Sequence, residues 1–403
     1  MSDWSLAIDF GTCFTTAAVR VEADVAAAVE IENSRYLPSL VCLDDDGRLL
    51  TGRAAVQLAA QWPERAEQHP KRALLRQSAV LLDDREVATV ELAAAVLTRV
   101  VGEARAQRGG TAPGRAVLTH PADWSPGDLE RLVEAAGRAG VDVPELLPEP
   151  VAAARFHAAD ARATGDREGG GDRPIAVYDL GGGTVDIAVL RREADGFRAV
   201  AVAGNPDFGG RDLDQALFEL LRDRALDLDP EPWRRLWADP APAAAHQRAQ
   251  LAREVTLAKE SLSETGTVYL AVPGYPDRFV VQGGEYREAV VPALAASVAL
   301  LERTVVRAGL TPSDLGAVVL CGAASRTPPV ADLVGTWLGR SPDLAADPKA
   351  AVALGALADL PAPPTPADTE EATAQEATEQ EAAASSRWTV AHYPDEVDPE
   401  LWF

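Results

Sequence analysis

The chain switches repeatedly between two hydrophobic rhythms, short β-rich runs and helical stripes, and the switches mark out its elements. Residues 6–9 and 15–21 read as paired strands around a Gly-containing turn, and 39–43 as a further strand closed by the D-D-D-G turn at 44–47. Residues 57–61 and 90–105 have helical spacing, and in the second Leu92, Val96, Leu97, Val100 and Val101 share one stripe. A short buried strand at 115–119 leads into a helix over 126–139. The Gly-, Asp- and Arg-rich stretch 158–174 reads as a solvated loop between two halves. The pattern restarts at Ile175, with helices over 213–226 and 243–263, strands within 268–281 broken by P-G-Y-P, and a strongly amphipathic helix over 286–308. A strand at 317–320, a helix at 330–338 and a last helix opened by Asp347 as N-cap and Pro348 follow. From residue 361 the sequence is rich in Pro, Ala, Thr and Glu, too poor in apolar surface to fold alone, and is expected to be a disordered tail ending in an aromatic segment.

Two strand-turn-strand phrases in this pattern match each other. The first is L-A-I-D-F-G-T-C-F-T-T-A-A-V (6–19) and the second is I-A-V-Y-D-L-G-G-G-T-V-D-I-A-V (175–189). Each climbs through apolar residues to an aspartate, Asp9 or Asp179, then turns through Gly and Thr. Such self-similarity predicts an α/β chain of two related halves whose turns face each other across a cleft. Gly-rich turns expose backbone N–H groups that no side chain shields, so the matter bound there is expected to be anionic.

Composition narrows the partners. A chain of 403 residues can hold two or more domains with real cores. The longest apolar stretch, 315–324, is about half the ~20 residues a membrane span needs, and the start shows no basic segment followed by an apolar core. A cytoplasmic protein without a membrane partner is expected. Three cysteines, Cys13, Cys42 and Cys321, are too few and scattered for a disulfide framework or a zinc site. The net charge of −24 argues against a nucleic-acid backbone as partner; the residues from 361 onward carry −9 of it and the rest −15. A polyphosphate would therefore be held locally, by N–H groups, a metal and a few cations.

Asp9 and Asp179 beside phosphate-binding turns would repel the phosphates unless a divalent cation lay between them. Mg²⁺ prefers oxygen ligands and keeps several waters, so the two carboxylates are expected to hold it through its hydration shell. The plainer alternative is that each Asp caps its own turn. Thr12 and Thr184 supply hydroxyls, and Gly11, Gly181, Gly182 and Gly183 permit close backbone approach. A third phrase, V-V-L-C-G-A-A-S-R-T-P-P-V-A-D-L-V (318–334), runs a strand into a Gly turn and a helix, leaving Arg326 either to stack on a base or to stand as a surface residue.

These three phrases resemble the phosphate-1, phosphate-2 and adenosine motifs of the actin/hexokinase/heat-shock ATPase superfamily, and more closely the nucleotide-binding domain of the heat shock protein 70 (DnaK-like) family. Y-L-P-S-L-V (36–41), H-P-K-R-A-L (69–74), A-V-L-T-H-P-A-D-W (116–124), L-L-P-E-P-V-A-A-A (146–154), F-G-G-R-D-L-D (208–214) and L-A-K-E-S-L-S (257–263) are similar to further motifs of that family, in order. Two of that family's motifs read L-G-G-E-D-F-D and I-I-N-E-P-T-A-A-A. The resemblance implies a two-lobed actin-like ATPase fold of duplicated ribonuclease-H-like domains with peripheral subdomains, its lobes over 1–170 and 171–360 and the tail over 361–403. It implies ATP or ADP as ligand with Mg²⁺. Asp9, Glu149 and Asp179 would arrange the metal and the attacking water, while Lys71 would hold the γ-phosphate and Thr184 add its hydroxyl. Gly11, Thr12, Cys13, Gly181, Gly182, Gly183, Gly209 and Gly210 would approach the phosphates or ribose, and Lys259, Ser263, Gly322, Ala323 and Arg326 would surround the nucleoside.

The sequence also departs from that family. Ala323 stands where a second glycine is usual, Thr256 where Glu is usual, and Leu129 where the chaperones carry an interdomain-signalling Arg. Only 43 acidic, Pro-rich residues follow residue 360, so no client-binding domain is expected there. The expected activity is slow Mg-dependent ATP hydrolysis that switches the conformation read by a protein partner, through a lobe surface or the tail. The alternative is a non-catalytic ATP-sensing scaffold.

Overall fold

A computed structural model describes residues 4–22, 24–164, 173–194 and 196–358. The expected tail lies outside them. The fold is built on two sheets of matching topology, the duplicated halves of an actin-like ATPase fold. In the first, the order is Glu145–Pro148, Arg115–His120, Trp4–Phe10, Phe14–Val21, Ala27–Ala28. In the second it is Asp343–Leu344, Ala317–Cys321, Ile175–Leu180, Val185–Glu193, Gly196–Asn205. Each sheet has an antiparallel hairpin at its centre and a parallel neighbour on the far side of the first hairpin strand.

Strand side chains alternate between faces, and that alternation separates the cores. Leu6, Ile8 and Phe10 point into one cluster, which receives the stripe Leu92, Val96, Leu97, Val100 and Val101 of the helix Thr89–Ala106. The helix Pro126–Arg138 packs there too, started by a capping box between Ser125 and Asp128. Tyr178 and Leu180 point into a second cluster under the helices Gly210–Leu228, Pro242–Thr265 and Gly283–Arg307. The opposite faces, Ala7 and Ala18 on one sheet and Ile175 and Val177 on the other, share a third cluster with the helices Glu149–Thr164 and Ala351–Ala356. Small residues let these two helices meet closely: a Cβ on Gly355 would collide with the Ala152 carbonyl.

Gly283–Arg307 is, among the described residues, the one helix long and apolar enough to cross a bilayer, an 18-residue stretch of it reaching a mean hydropathy of 1.7. Its buried face, Val290, Leu294, Leu301 and Val305, packs in the second core, and Ser297 there hydrogen-bonds the Tyr178 hydroxyl at 2.6 Å.

Two expectations are corrected. The stretch 158–174 is helical as far as Thr164; its first residues are Ala-rich good helix formers, and the glycines begin only at Gly165. The last helix starts at Ala351, three residues after Pro348, and the Asp347 carboxylate caps the preceding turn by accepting from the Ala350 N–H at 3.3 Å. The hairpin Ala79–Leu82 with Arg85–Ala88 and the strand Gly196–Asn205 were not expected from the pattern.

Candidate functional site

The two Gly turns lie at the same end of their sheets and touch. In the first, the Gly11 N–H donates to the Asp9 carbonyl at 3.1 Å, and Ser39 clamps the turn from outside. The Ser39 hydroxyl donates to the Gly11 carbonyl at 2.8 Å and its N–H to the Cys13 carbonyl at 3.0 Å. A Cβ on Gly11 would strike the Phe14 carbonyl, so only glycine closes this turn. In the second, the Gly181 N–H donates to the Thr184 carbonyl at 2.9 Å. A Cβ on Gly182 would run into the Cys13 sulfur, and one on Gly183 would lie 3.3 Å from the Thr12 methyl. The halves therefore meet turn against turn.

Between them lies a cavity of about 670 Å³, the size of a small-molecule site. Asp9, Gly11, Thr12, Cys13, Lys71, Glu149, Asp179, Gly181, Gly182, Thr184 and Gly210 line it, as do Lys259, Ser263, Gly322, Ala323 and Arg326. Gly183 and Gly209 are not among its lining residues; they pack closely together, a Cβ on Gly209 lying 2.6 Å from the Gly183 nitrogen.

The floor is a buried charge cluster. Lys71, on the helix Pro70–Arg76, pairs with Glu149 at 2.7 Å, and its ammonium lies 5.4 Å from the Trp124 ring centroid. Burial opposes the Lys71 charge, but Glu149 and Asp9 outweigh it and raise the pKa. Burial and then Glu149 lift Asp9 to about 7, against the opposing pull of Lys71 and of the Thr119 hydroxyl that donates to it at 3.2 Å. Burial and Glu149 likewise lift Asp186 to about 7, with the Thr184 hydroxyl donating to it at 2.8 Å. Asp179 is driven well above the carboxylate range by burial, then by Glu149, Asp186 and Asp9. The Asp9 carboxylate thus takes its hydrogen bond from the neighbouring strand.

Among the described residues no three His, Cys, Asp or Glu side chains converge to hold an ion directly. Crowded, buried carboxylates that raise one another's pKa are nonetheless the oxygen donors a hydrated Mg²⁺ takes, so the residues fit that ion through water.

The other end of the cavity is lined by the helix Pro242–Thr265 and the turn after Ala317–Cys321. Lys259 is committed to neighbours, paired with Asp214 at 2.7 Å and donating to the Gly210 carbonyl at 2.9 Å. Thr256 lines the cavity and its hydroxyl donates to Asp214 at 3.2 Å. Arg326 is exposed at the rim.

Several lining residues escaped the sequence reading. Asp186 lies directly across the hairpin from Asp179, a partnership that the strand register reveals. Arg211, Asp214 and Glu260 come from helices, and Lys349 comes from a segment distant in sequence. The Lys349 ammonium sits 5.0 Å from both the Phe14 and Tyr36 ring centroids and 3.5 Å from Glu260.

A family model described as Hsp70 protein matches residues 61–360. Chaperone protein HscA of Pectobacterium carotovorum subsp. carotovorum is 30% identical over 378 residues, covering 87% of this chain and 57% of the relative. Chaperone protein DnaK of Thermotoga petrophila is 27% identical over 362 residues, covering 88% and 58%, and that of Thermotoga neapolitana gives the same figures. The chain spans somewhat less than three fifths of the length of these curated relatives.

Proposed function

The chain belongs to the Hsp70 protein family, and on that footing we propose that it binds Mg-ATP between its lobes, hydrolyses it slowly to ADP and phosphate, and works as a nucleotide-dependent switch for a protein partner. The observation that carries this reading is the Lys71–Glu149 pair, buried with Asp9, Asp179 and Asp186 at the floor of a cavity walled by two glycine turns. Backbone N–H groups of the turns approach the phosphates, and Lys71, held in place by Glu149, reaches the terminal one. Asp9 and Asp179 would hold a magnesium ion through its water shell, and that ion would supply the charge neutralisation the phosphates need there. Water attacks the terminal phosphorus as the bond to ADP breaks, and Asp186, which titrates at about 7, takes up the proton. Lys259, Ser263 and Arg326 border the nucleoside. The partner is a protein rather than a nucleic acid or a membrane, and the setting is the cytoplasm.

Single-turnover hydrolysis on wild type and Lys71→Ala tests this. The expected result is a loss of at least about 100-fold in the hydrolytic step with nucleotide still bound. Equal rates would remove the enzymatic claim and leave the second reading, a non-catalytic ATP sensor. That reading is favoured by the hydroxyl of Thr256 and the ammonium of Lys259, both already committed to Asp214 in the cavity wall.

A further inference from the structure

The geometry points to Arg211 as a phosphate-binding residue of this chain, an unpaired guanidinium in the cavity wall that takes the polyphosphate of the bound nucleotide. The inference rests on the nucleotide reading above and deepens it. Arg211 is the second residue of the helix Gly210–Leu228 and lines the cavity. That helix is fastened to the second glycine turn: the Gly210 N–H donates to the Gly181 carbonyl at 2.8 Å and the Arg211 N–H to the Gly182 carbonyl at 2.9 Å. The guanidinium is thereby indexed to the turn, lying so close to Gly183 that a Cβ there would sit 2.8 Å from its Nη2.

Every carboxylate nearby in sequence has another commitment. Asp207 is held by Arg72 at 3.0 Å and Arg76 at 2.9 Å, and Asp214 by Lys259 at 2.7 Å. Asp212 accepts from the Gly209 N–H at 2.7 Å, which caps the helix. Among the described residues no carboxylate pairs with Arg211, and its Nε is buried without a hydrogen-bond partner. Its charge is felt by its neighbours: burial and then Arg211 depress His69 to about 4, and the same two causes lower Arg72. A cation so placed is costly unless an anion joins it. Thr12, Cys13 and Gly182 share that wall, so the anion that satisfies Arg211 lies against both turns. A guanidinium fork matches phosphate oxygens two at a time. In the resembled motif L-G-G-E-D-F-D this position is Glu, so the cation is a feature of this chain.

The test titrates the full chain, as wild type, Arg211→Ala and Arg211→Lys, with Mg-ATP, adenosine and tripolyphosphate. Arg211→Ala is expected to lose at least about tenfold in affinity for Mg-ATP and tripolyphosphate while adenosine is unchanged, with Arg211→Lys in between. The ligand-free melting temperature of Arg211→Ala should not fall, since an unpaired charge is removed; a residue present only for packing would lower it. Equal losses for all three ligands, or none for any, overturn the assignment. If wild type binds tripolyphosphate through Arg211 but neither Mg-ATP nor adenosine, the nucleotide reading fails and the anion assignment stands. Silence toward all three overturns both.

Discussion

The two central hairpins share a register but differ in what faces their aspartates. In the first half, Asp9 lies opposite Thr16 across the hairpin and Thr119 on the parallel neighbour. In the second, Asp179 lies opposite Asp186 and Cys321. The first carboxylate thus has hydroxyl neighbours, one of which donates to it, while the second has another carboxylate and a buried thiol. Burial, with Asp179 and Asp9 behind it, keeps that thiol neutral, its pKa well above the ordinary range. Duplication sets where the acids stand, and the residues opposite decide how strongly each demands a proton or a cation. The second half carries the greater demand.

The largest effect is expected from breaking the first half's one strong compensation. Lys71→Ala leaves Glu149 buried without its partner and should lower unfolding stability by about 3–5 kcal/mol, read by denaturant melts without ligand. A smaller and opposite change should follow from Asp179→Asn, which relieves crowding and raises ligand-free stability in the same melts. Asp9→Asn should gain less, and a gain larger than that of Asp179→Asn would invert the comparison. The seam between the turns can be wedged more gently. Gly182→Ala presses on the Cys13 sulfur and should cost about 1–2 kcal/mol, and Cys13→Ala in the same chain should recover most of it, a coupling measurable by a double-mutant cycle. The smallest effect at neutral pH belongs to His69, whose Nδ1–H donates to the Thr12 carbonyl at 3.3 Å. Its folded pKa of about 4 lies below the ordinary 6.5. The unfolded chain therefore gains a proton first, and the contribution, complete above 6.5, is lost as pH falls toward 4. His69→Gln should flatten the stability profile across that window and leave neutral pH unchanged.

Much of this was legible in the chain because its central strands are buried on both faces and bounded by glycine turns. The two hairpins, the stripe from Leu92 to Val101 and the third turn at Gly322 stand where the pattern puts them. What escaped was pairing at a distance. Asp186 appears inside a quoted phrase, yet its nearness to Asp179 follows only from hairpin register. Lys349 meets Phe14 and Tyr36 only through the folding of widely separated segments, which no local spacing reports. Gly209 lies so close to the Gly183 backbone that a Cβ on it would collide there, a packing constraint between distant segments that the motifs do not announce. The loop expected at 158–174 failed at its start because polar residues such as Asp160 obscured an alanine-rich helical run.

Gly355 sits where the last helix, packed on the first sheet, meets the helix Glu149–Thr164, which packs against both sheets. Its hydrogen is all that fits against Ala152, so one added methyl would drive the helix off its seat and shift the shared layer beneath the two hairpins. The keystone of the crevice is therefore a residue that never touches what the crevice holds, and a fault there would misalign both jaws at once.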